Sequence, residues 1–368
     1  MIFNKSKRIV IKIGSSLLIK NNKINNNWVS NLSKDIFNLS KRKIDITIVT
    51  SGAIALGCKY LKISRKNLKL KEYQAVSSIG QIELINLFKK ALARKRIKIG
   101  QILLTLEDTE NRRRALNAKD TIENIFKLKG IPIVNENDTT ATNEIRYGDN
   151  DRLAARVAQI LSADTLIMLS DIDGLYTKDP KKFKNAEHIK KVKKITTQII
   201  KSATKSVTDY GSGGMITKID AAKICMDAGC RMILTKGSVN NPISKLEKDK
   251  FCTIFIPNTN EYNAKKKWIL SSLNNKGSII IDDGANEAII KGKSLLPVGI
   301  YDVKGKFNRG ETVSILDKLN NKIGTGVVSY SSDEIFKIKG IKSSNIKDKL
   351  GYISRGEVIH IDNMVFNK

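Results

Sequence analysis

Histidine is almost missing from this chain. Only His188 and His360 occur in 368 residues, which excludes His-ligated metals, a Ser/His/Asp triad and phosphohistidine chemistry unless one of these two serves. Cysteine is nearly as scarce. Cys58, Cys225, Cys230 and Cys252 show neither paired zinc spacing nor a disulfide framework, and read as buried free thiols. No uninterrupted apolar run approaches the roughly 18 residues that a membrane span needs. The opening MIFNKSKRIVIKIGSSLLI is broken by Lys12 and lacks a small-residue cleavage site, so it reads as a first strand and the expected location is cytoplasmic. Neither G-x-x-x-x-G-K-[ST] nor G-x-G-x-x-G occurs, which sets aside P-loop and ordinary dinucleotide folds. Chemistry here has to rest on Lys, Asp and backbone N–H groups.

Acid is the other deficit. Lys and Arg number 66 against 36 Asp and Glu, a formal charge of +30. A surplus of that size invites a nucleic-acid reading. Yet residues 277–368 hold 14 basic and 11 acidic side chains, a net +3, which leaves +27 on residues 1–276. Lys, Asn and Ile are over-used throughout, as AT-rich coding produces, and the surplus reads as solvated lysine faces.

What is present suffices for one large core and a smaller domain, at 41% hydrophobic. Strands expected at 8–13, 44–49, 97–104, 131–134, 165–169, 232–235 and 253–256 alternate with helices expected at 72–93, 113–128, 151–161 and 219–228. That alternation means an α/β fold with a mainly parallel sheet covered on both faces. The lysine-rich residues 181–195 read as an exposed flap. After about residue 276 the pieces SIIID, AIIKG, GIYDVKG, ETVSILD, IGTGVVSY and EVIHID, separated by Gly, Asn and Asp turns, read as a small β-rich barrel. The expected domains are 1–260, a linker or helix at 261–276, and 277–368.

Polar chemistry concentrates at strand ends. Residues 135–158, NENDTTATNEIRYGDNDRLAARVA, follow the apolar IPIV. A capped helix entrance explains Asp149 to Asp151 alone, whereas a small polar substrate held by carboxylates and carboxamides explains the whole cluster. Lys12, Gly14, Ser15 and Ser16 end the first strand, and Thr50, Ser51 and Gly52 end the second. Small-residue turns of this kind let backbone N–H groups face an anion in a shared crevice; a lysine ending an edge strand is the plainer account of Lys12. Ser170 and Asp171 open a turn-rich loop. Three glycines in the run Tyr210 to Lys218, YGSGGMITK, precede a helix, and make an anion-binding N-terminus with a charged reach.

Taken in order, IKIGSSLL, VTSGAIALG, QILLT, NENDTTAT with YGDNDRLAA, LSDIDGLYTKDP and GSGGMITKIDAAKIC resemble the amino acid kinase family, and within it the glutamate 5-kinases. The tail, with SLLPVGI and FNRGE, resembles a PUA domain, the module shared with pseudouridine synthases and archaeosine transglycosylases. The resemblance implies a three-layer αβα sandwich plus a small C-terminal PUA barrel. It implies transfer of the ATP γ-phosphoryl group, with Mg2+, to the side-chain carboxylate of L-glutamate, giving L-glutamyl 5-phosphate for proline biosynthesis.

By matched position the resemblance makes Lys12, Lys218 and Asp151 catalytic, with Asp151 orienting the two lysines. Ser51, Gly52, Asn135, Asp138 and Asn150 would hold glutamate. Lys12, Ser170, Asp171 and the run Ser212, Gly213, Gly214, Met215, Ile216, Thr217 and Lys218 would hold ATP. No protein ligand for the metal is evident. The resemblance also implies a homo-oligomer, dimer or tetramer, with proline as feedback inhibitor and glutamate-5-semialdehyde dehydrogenase as the downstream enzyme. It implies no membrane partner. Glu144 and Asp108 lie where loop contacts would set proline sensitivity, or are solvated loop acids. Aspartate, acetylglutamate, UMP and carbamate are the alternative substrates within the fold, but NENDTTAT and YGDNDRL resemble the glutamate enzymes. An RNA-binding role through the tail is the alternative from another class, and a net +3 argues against strong phosphate binding.

Overall fold

A computed structural model describes every residue except 1, 5, 21–22, 67, 142–148, 181, 205–213, 258, 260–276, 354 and 367–368, and the side chains of 149 and 204. The chain divides into two compact units, Met1–Glu261 and Tyr262–Lys368. The expected linker at 261–276 lies outside the described residues.

Eight strands make the sheet of the first unit: β1 Arg8–Ile13, β2 Asp45–Thr50, β3 Lys98–Leu104, β4 Gly130–Glu136, β5 Thr165–Ser170, β6 Lys191–Val192, β7 Arg231–Lys236 and β8 Thr253–Phe255. Their order is β6-β8-β7-β5-β1-β2-β4-β3. All neighbours are parallel except β7 and β8. From β1 the chain first builds outward through β2, then crosses to β5 on the other side of β1. The carboxyl ends flanking β1 are therefore where such sheets bind ligands.

Alternation along β1 divides the core. Ile9, Ile11 and Ile13 pack with helices α1 Asn26–Ser40, α2 Ala53–Leu61, α3 Leu70–Ala93 and α7 Pro242–Asp249. Val10 packs on the other face with α4 Arg112–Lys127, α5 Asp149–Ile160 and α6 Met215–Asp227. Side chains two apart share a face, so Lys12 belongs with Val10, on the α5 and α6 side. The same rule puts Asn135 on the α3 side with Ile131 and Ile133. This is the αβα sandwich implied by the sequence.

Two elements exceed the sequence reading. α1 turns Trp28, Val29, Leu32, Ile36 and Leu39 inward at helical spacing. Its buried Asp35 accepts from the Ile243 N–H at 2.9 Å and the Ser244 hydroxyl at 2.5 Å, and so caps α7 across space. The expected flap at 181–195 is partly sheet. His188–Ile189 pairs with Leu175–Tyr176, and β6 joins the sheet edge with Val192 buried and Lys191 exposed. Lysines on a short edge strand discourage further pairing, which is why composition alone made it look like a solvated loop.

In the second unit β9 Gly277–Ile281, β10 Ile300–Gly305, β11 Thr312–Leu316, β12 Lys322–Val327 and β13 Met364–Phe366 run in the order β10-β9-β11-β12-β13. Among the described residues this ladder is an open five-stranded sheet rather than a closed barrel. AIIKG is not a strand. Asp282 accepts from the Ala285 N–H at 2.7 Å and starts a helix, Asp283–Ile290, that takes up its apolar part. EVIHID contributes a single bridge, Leu295 with Ile359, before a short 3-10 turn at Ile361–Asn363. No helix among the described residues is long and apolar enough to cross a membrane.

α2 and α3 meet backbone to backbone. A Cβ on Gly80 would lie 1.8 Å from the Ala53 carbonyl oxygen, and one on Gly57 would lie 2.1 Å from that of Val76. An exposed helical Gly→Ala change would stabilise by up to about 1 kcal/mol. Here overpacking reverses the sign, and Gly80→Ala should destabilise by about 2 kcal/mol, read as a lower urea midpoint at unchanged slope.

Candidate active site

Lys12 is the penultimate residue of β1, just before the Gly14 turn. Its Nζ lies 2.5 Å from Oδ1 of Asp151, the third residue of α5. Lys218, in the first turns of α6, places Nζ 3.2 Å from Oδ2 of the same carboxylate. The Thr217 hydroxyl donates to that oxygen at 2.8 Å. Asp151 is 1% exposed, Lys12 8% and Lys218 6%. A carboxylate so buried would ordinarily resist ionisation. Burial does push its pKa up, but the charges of Lys12 and Lys218 and hydrogen bonds from Lys12 and Thr217 outweigh it and hold the group at about 2. One anion thus holds two ammonium groups at the sheet's carboxyl edge.

The surrounding turns converge there. A side chain at Gly14 would stand 4.0 Å from Lys12 Nζ and 4.0 Å from the Leu169 carbonyl oxygen. Gly52, at φ +112°, takes a backbone conformation that L side chains rarely adopt. A Cβ there would stand 3.3 Å from Leu18 and 3.7 Å from Cβ of Ser15, so the turns after β1 and β2 abut. Ser51 donates its N–H to the Ile13 carbonyl at 3.3 Å. At the end of β5 the Ser170 hydroxyl donates to Asp171 at 2.9 Å. Gly214 caps α6 without a side-chain hydrogen bond, ahead of Met215, Ile216, Thr217 and Lys218. Ser212 and Gly213 lie outside the described residues.

On the far side of β1, Asn135 and Asp138 are buried at the end of β4. Asp138 Oδ2 accepts from the hydroxyl of Ser77 on α3. Asn150, second in α5, is half-buried, and its Oδ1 has no hydrogen-bond partner among the described residues. Glu144 lies outside the described residues, and Asp108 accepts from Thr105 and Arg114 in its own capping box.

Sequence reading missed Ser77 and two neighbours on the same helix. Gln74 Nε2 donates to the Ala141 carbonyl, and Gln81 Nε2 to that of Glu136, both at 3.2 Å. The available signal was polar residues on the stripe that helical periodicity assigns to the interior.

The scarce residues are engaged elsewhere. His188 stacks on Phe251 at 4.4 Å, and burial lowers its pKa. His360 Nδ1 accepts from the Asp362 N–H at 3.1 Å. All four cysteines are free and buried. Among the described residues no three His, Cys, Asp or Glu side chains come together to hold a metal. The arrangement is chemically suited to draw an anion toward two buried positive charges.

Comparison with known proteins bears on the same regions. The model of the amino acid kinase family matches residues 7–236, and that of the PUA domain matches residues 277–350. A glutamate 5-kinase of Pelagibacter ubique (strain HTCC1062) is 57% identical over 317 residues, 86% of each chain. A glutamate 5-kinase of Paramagnetospirillum magneticum is 47% identical over 312 residues, 84% of each chain. Among solved structures, a carbamate kinase from Giardia lamblia is 14% identical with a TM-score of 0.49, covering 69% of this chain and 99% of that one.

Asp151 also leaves a signature in stability. Its pKa falls from 3.8 to about 2 on folding, so its contribution is complete above pH 4 and is lost as pH falls through 2. In full the shift corresponds to about 2 kcal/mol. Asp151→Asn removes that contribution. The gap in unfolding free energy between wild type and Asp151→Asn, from urea titrations at pH 6 and pH 3, should shrink by about 1 kcal/mol at the lower pH.

Proposed function

The chain belongs to the amino acid kinase family, and we propose that it transfers the γ-phosphoryl group of ATP to the side-chain carboxylate of L-glutamate. The product is L-glutamyl 5-phosphate, a precursor in proline biosynthesis. The observation that carries this reading is the pair of buried lysines on Asp151, one from the end of β1 and one from the first turn of α6. The names of the relatives supply the amino acid.

The mechanism follows from charge. The attacking carboxylate, with an ordinary pKa near about 4.3, is already ionised at neutral pH, so no general base is required. That matches a site without histidine. The difficulty is repulsion between a carboxylate and a triphosphate. Each unit positive charge at about 4 Å offsets roughly 4 kcal/mol at an effective dielectric near 20. Lys12 reaches the transferred group from the β1 end and Lys218 from α6, while Asp151 keeps two like charges close enough to act on one phosphoryl group. The N-terminus of α6 and the Gly14 turn offer backbone N–H groups to phosphate oxygens. Asp138 suits the α-ammonium of glutamate, and Asn135 and Asn150 both donate and accept.

Asp151 is committed to Lys12, Lys218 and Thr217, a donor set that fits an anion anchor rather than a cation ligand. Mg2+ bound with the nucleotide would supply charge neutralisation of its phosphates, and Asp151 would not be among the residues that hold it.

Three measurements test this. With ATP, glutamate and hydroxylamine, the enzyme should form the hydroxamate that reports an acyl phosphate; ADP formation without it would contradict the reaction. Lys218→Ala should lower kcat by roughly 100-fold or more. Asp138→Ala should chiefly raise the KM for glutamate, and an effect on kcat alone would overturn its assignment.

A further inference from the structure

α3 carries three polar side chains that grip the end of β4 and the segment after it. Gln74 bonds the Ala141 carbonyl, Ser77 the Asp138 carboxylate, and Gln81 the Glu136 carbonyl. Positions i, i+3 and i+7 lie on one helix face. Ser77 is 0% exposed and Gln81 8%. Oε1 of Gln81 is buried with no hydrogen-bond partner among the described residues. Gly80, between them, lies against Ala53 and Gly57 of α2. α2 itself starts from Gly52. One helix therefore abuts the helix that leaves the Ser51 turn and also holds the Asp138 segment.

We propose that Ser77 is a positioning residue for glutamate. Its hydroxyl holds the Asp138 carboxylate in the orientation that receives the α-ammonium of the substrate, and Gln81 keeps the adjoining Glu136 carbonyl in place. This rests on glutamate being the substrate. A hydroxyl donating to a carboxylate makes a charge-assisted bond, so its loss removes one of the contacts that orient the carboxylate without removing its charge. The reacting carboxylate sits at the other end of glutamate, facing Lys12 and Lys218. The effect of Ser77 therefore belongs in substrate binding and not in the chemical step.

The test is a double-mutant cycle on the full chain, using Ser77→Ala and Asp138→Asn singly and together, with glutamate and ATP varied separately. Ser77→Ala should raise the KM for glutamate about tenfold, the effect of losing one hydrogen bond to a charged group. Its kcat and its KM for ATP should stay within about twofold of wild type. In the Asp138→Asn background the same change should add less than about twofold, because its partner is already altered. A fall in kcat at constant KM, a matching rise in the KM for ATP, or a full effect in the Asp138→Asn background overturns the proposal. If Ser77→Ala is not recovered folded, Ser77→Cys, of similar volume and a weak donor, is judged by the same criteria. Absence of glutamate-dependent ADP formation by wild type overturns both this proposal and the substrate reading. Normal wild-type kinetics with an unchanged KM in the Ser77 variants overturns this one alone.

Discussion

The contact on which the site depends is one carboxylate shared by two ammonium groups. Asp151 takes Lys12 on one oxygen and Lys218 with Thr217 on the other, and all three charged groups are buried. Without the anion, two positive charges on separate elements would repel across a region of low dielectric. Removing one member of a buried pair leaves an uncompensated charge and is strongly destabilising. The same contact ties β1, α5 and α6 together at the edge of the sheet. Stability and electrostatic readiness are thus properties of one cluster.

The sheet explains why these groups meet. Parallel strands all present carboxyl ends at one edge, and the chain crosses sides at β1. Alternation then sorts the participants. Lys12 falls on the face of α5 and α6, while Asn135 falls on the face of α3, where Ser77 also reaches Asp138. Lys12 and Lys218 thus lie on one face of the sheet, and Asn135 and Ser77 on the other.

Much of this was legible in the residues. β1 is a β-branched run whose limits agree with the expectation, and the small-residue turns after β1 and β2 do abut as their composition suggested. What local pattern could not supply was non-local. α7 opens on Asn241 in the left-handed region and is capped by Asp35 of a distant helix. β6 is a strand only because Val192 meets β8. AIIKG was misread because a short apolar run does not distinguish strand from helix, and Asp282 decided it. The meeting of Lys12, Asp151 and Lys218 joins three distant motifs, and only the family resemblance assigned them a common role. Ser77 and Gln81 lay on a stripe that periodicity marks as core, so their polarity was the only local sign.

In the proposed reaction Asp151 acts by setting the two lysines on the transferred phosphoryl group. The most direct measurement is the steady-state rate of Asp151→Asn with glutamate and ATP each varied to saturation. The expected result is a fall in kcat of roughly 100-fold or more, with the KM for glutamate within about threefold of wild type. A kcat equal to wild type, with the loss confined to the KM for glutamate, would contradict it.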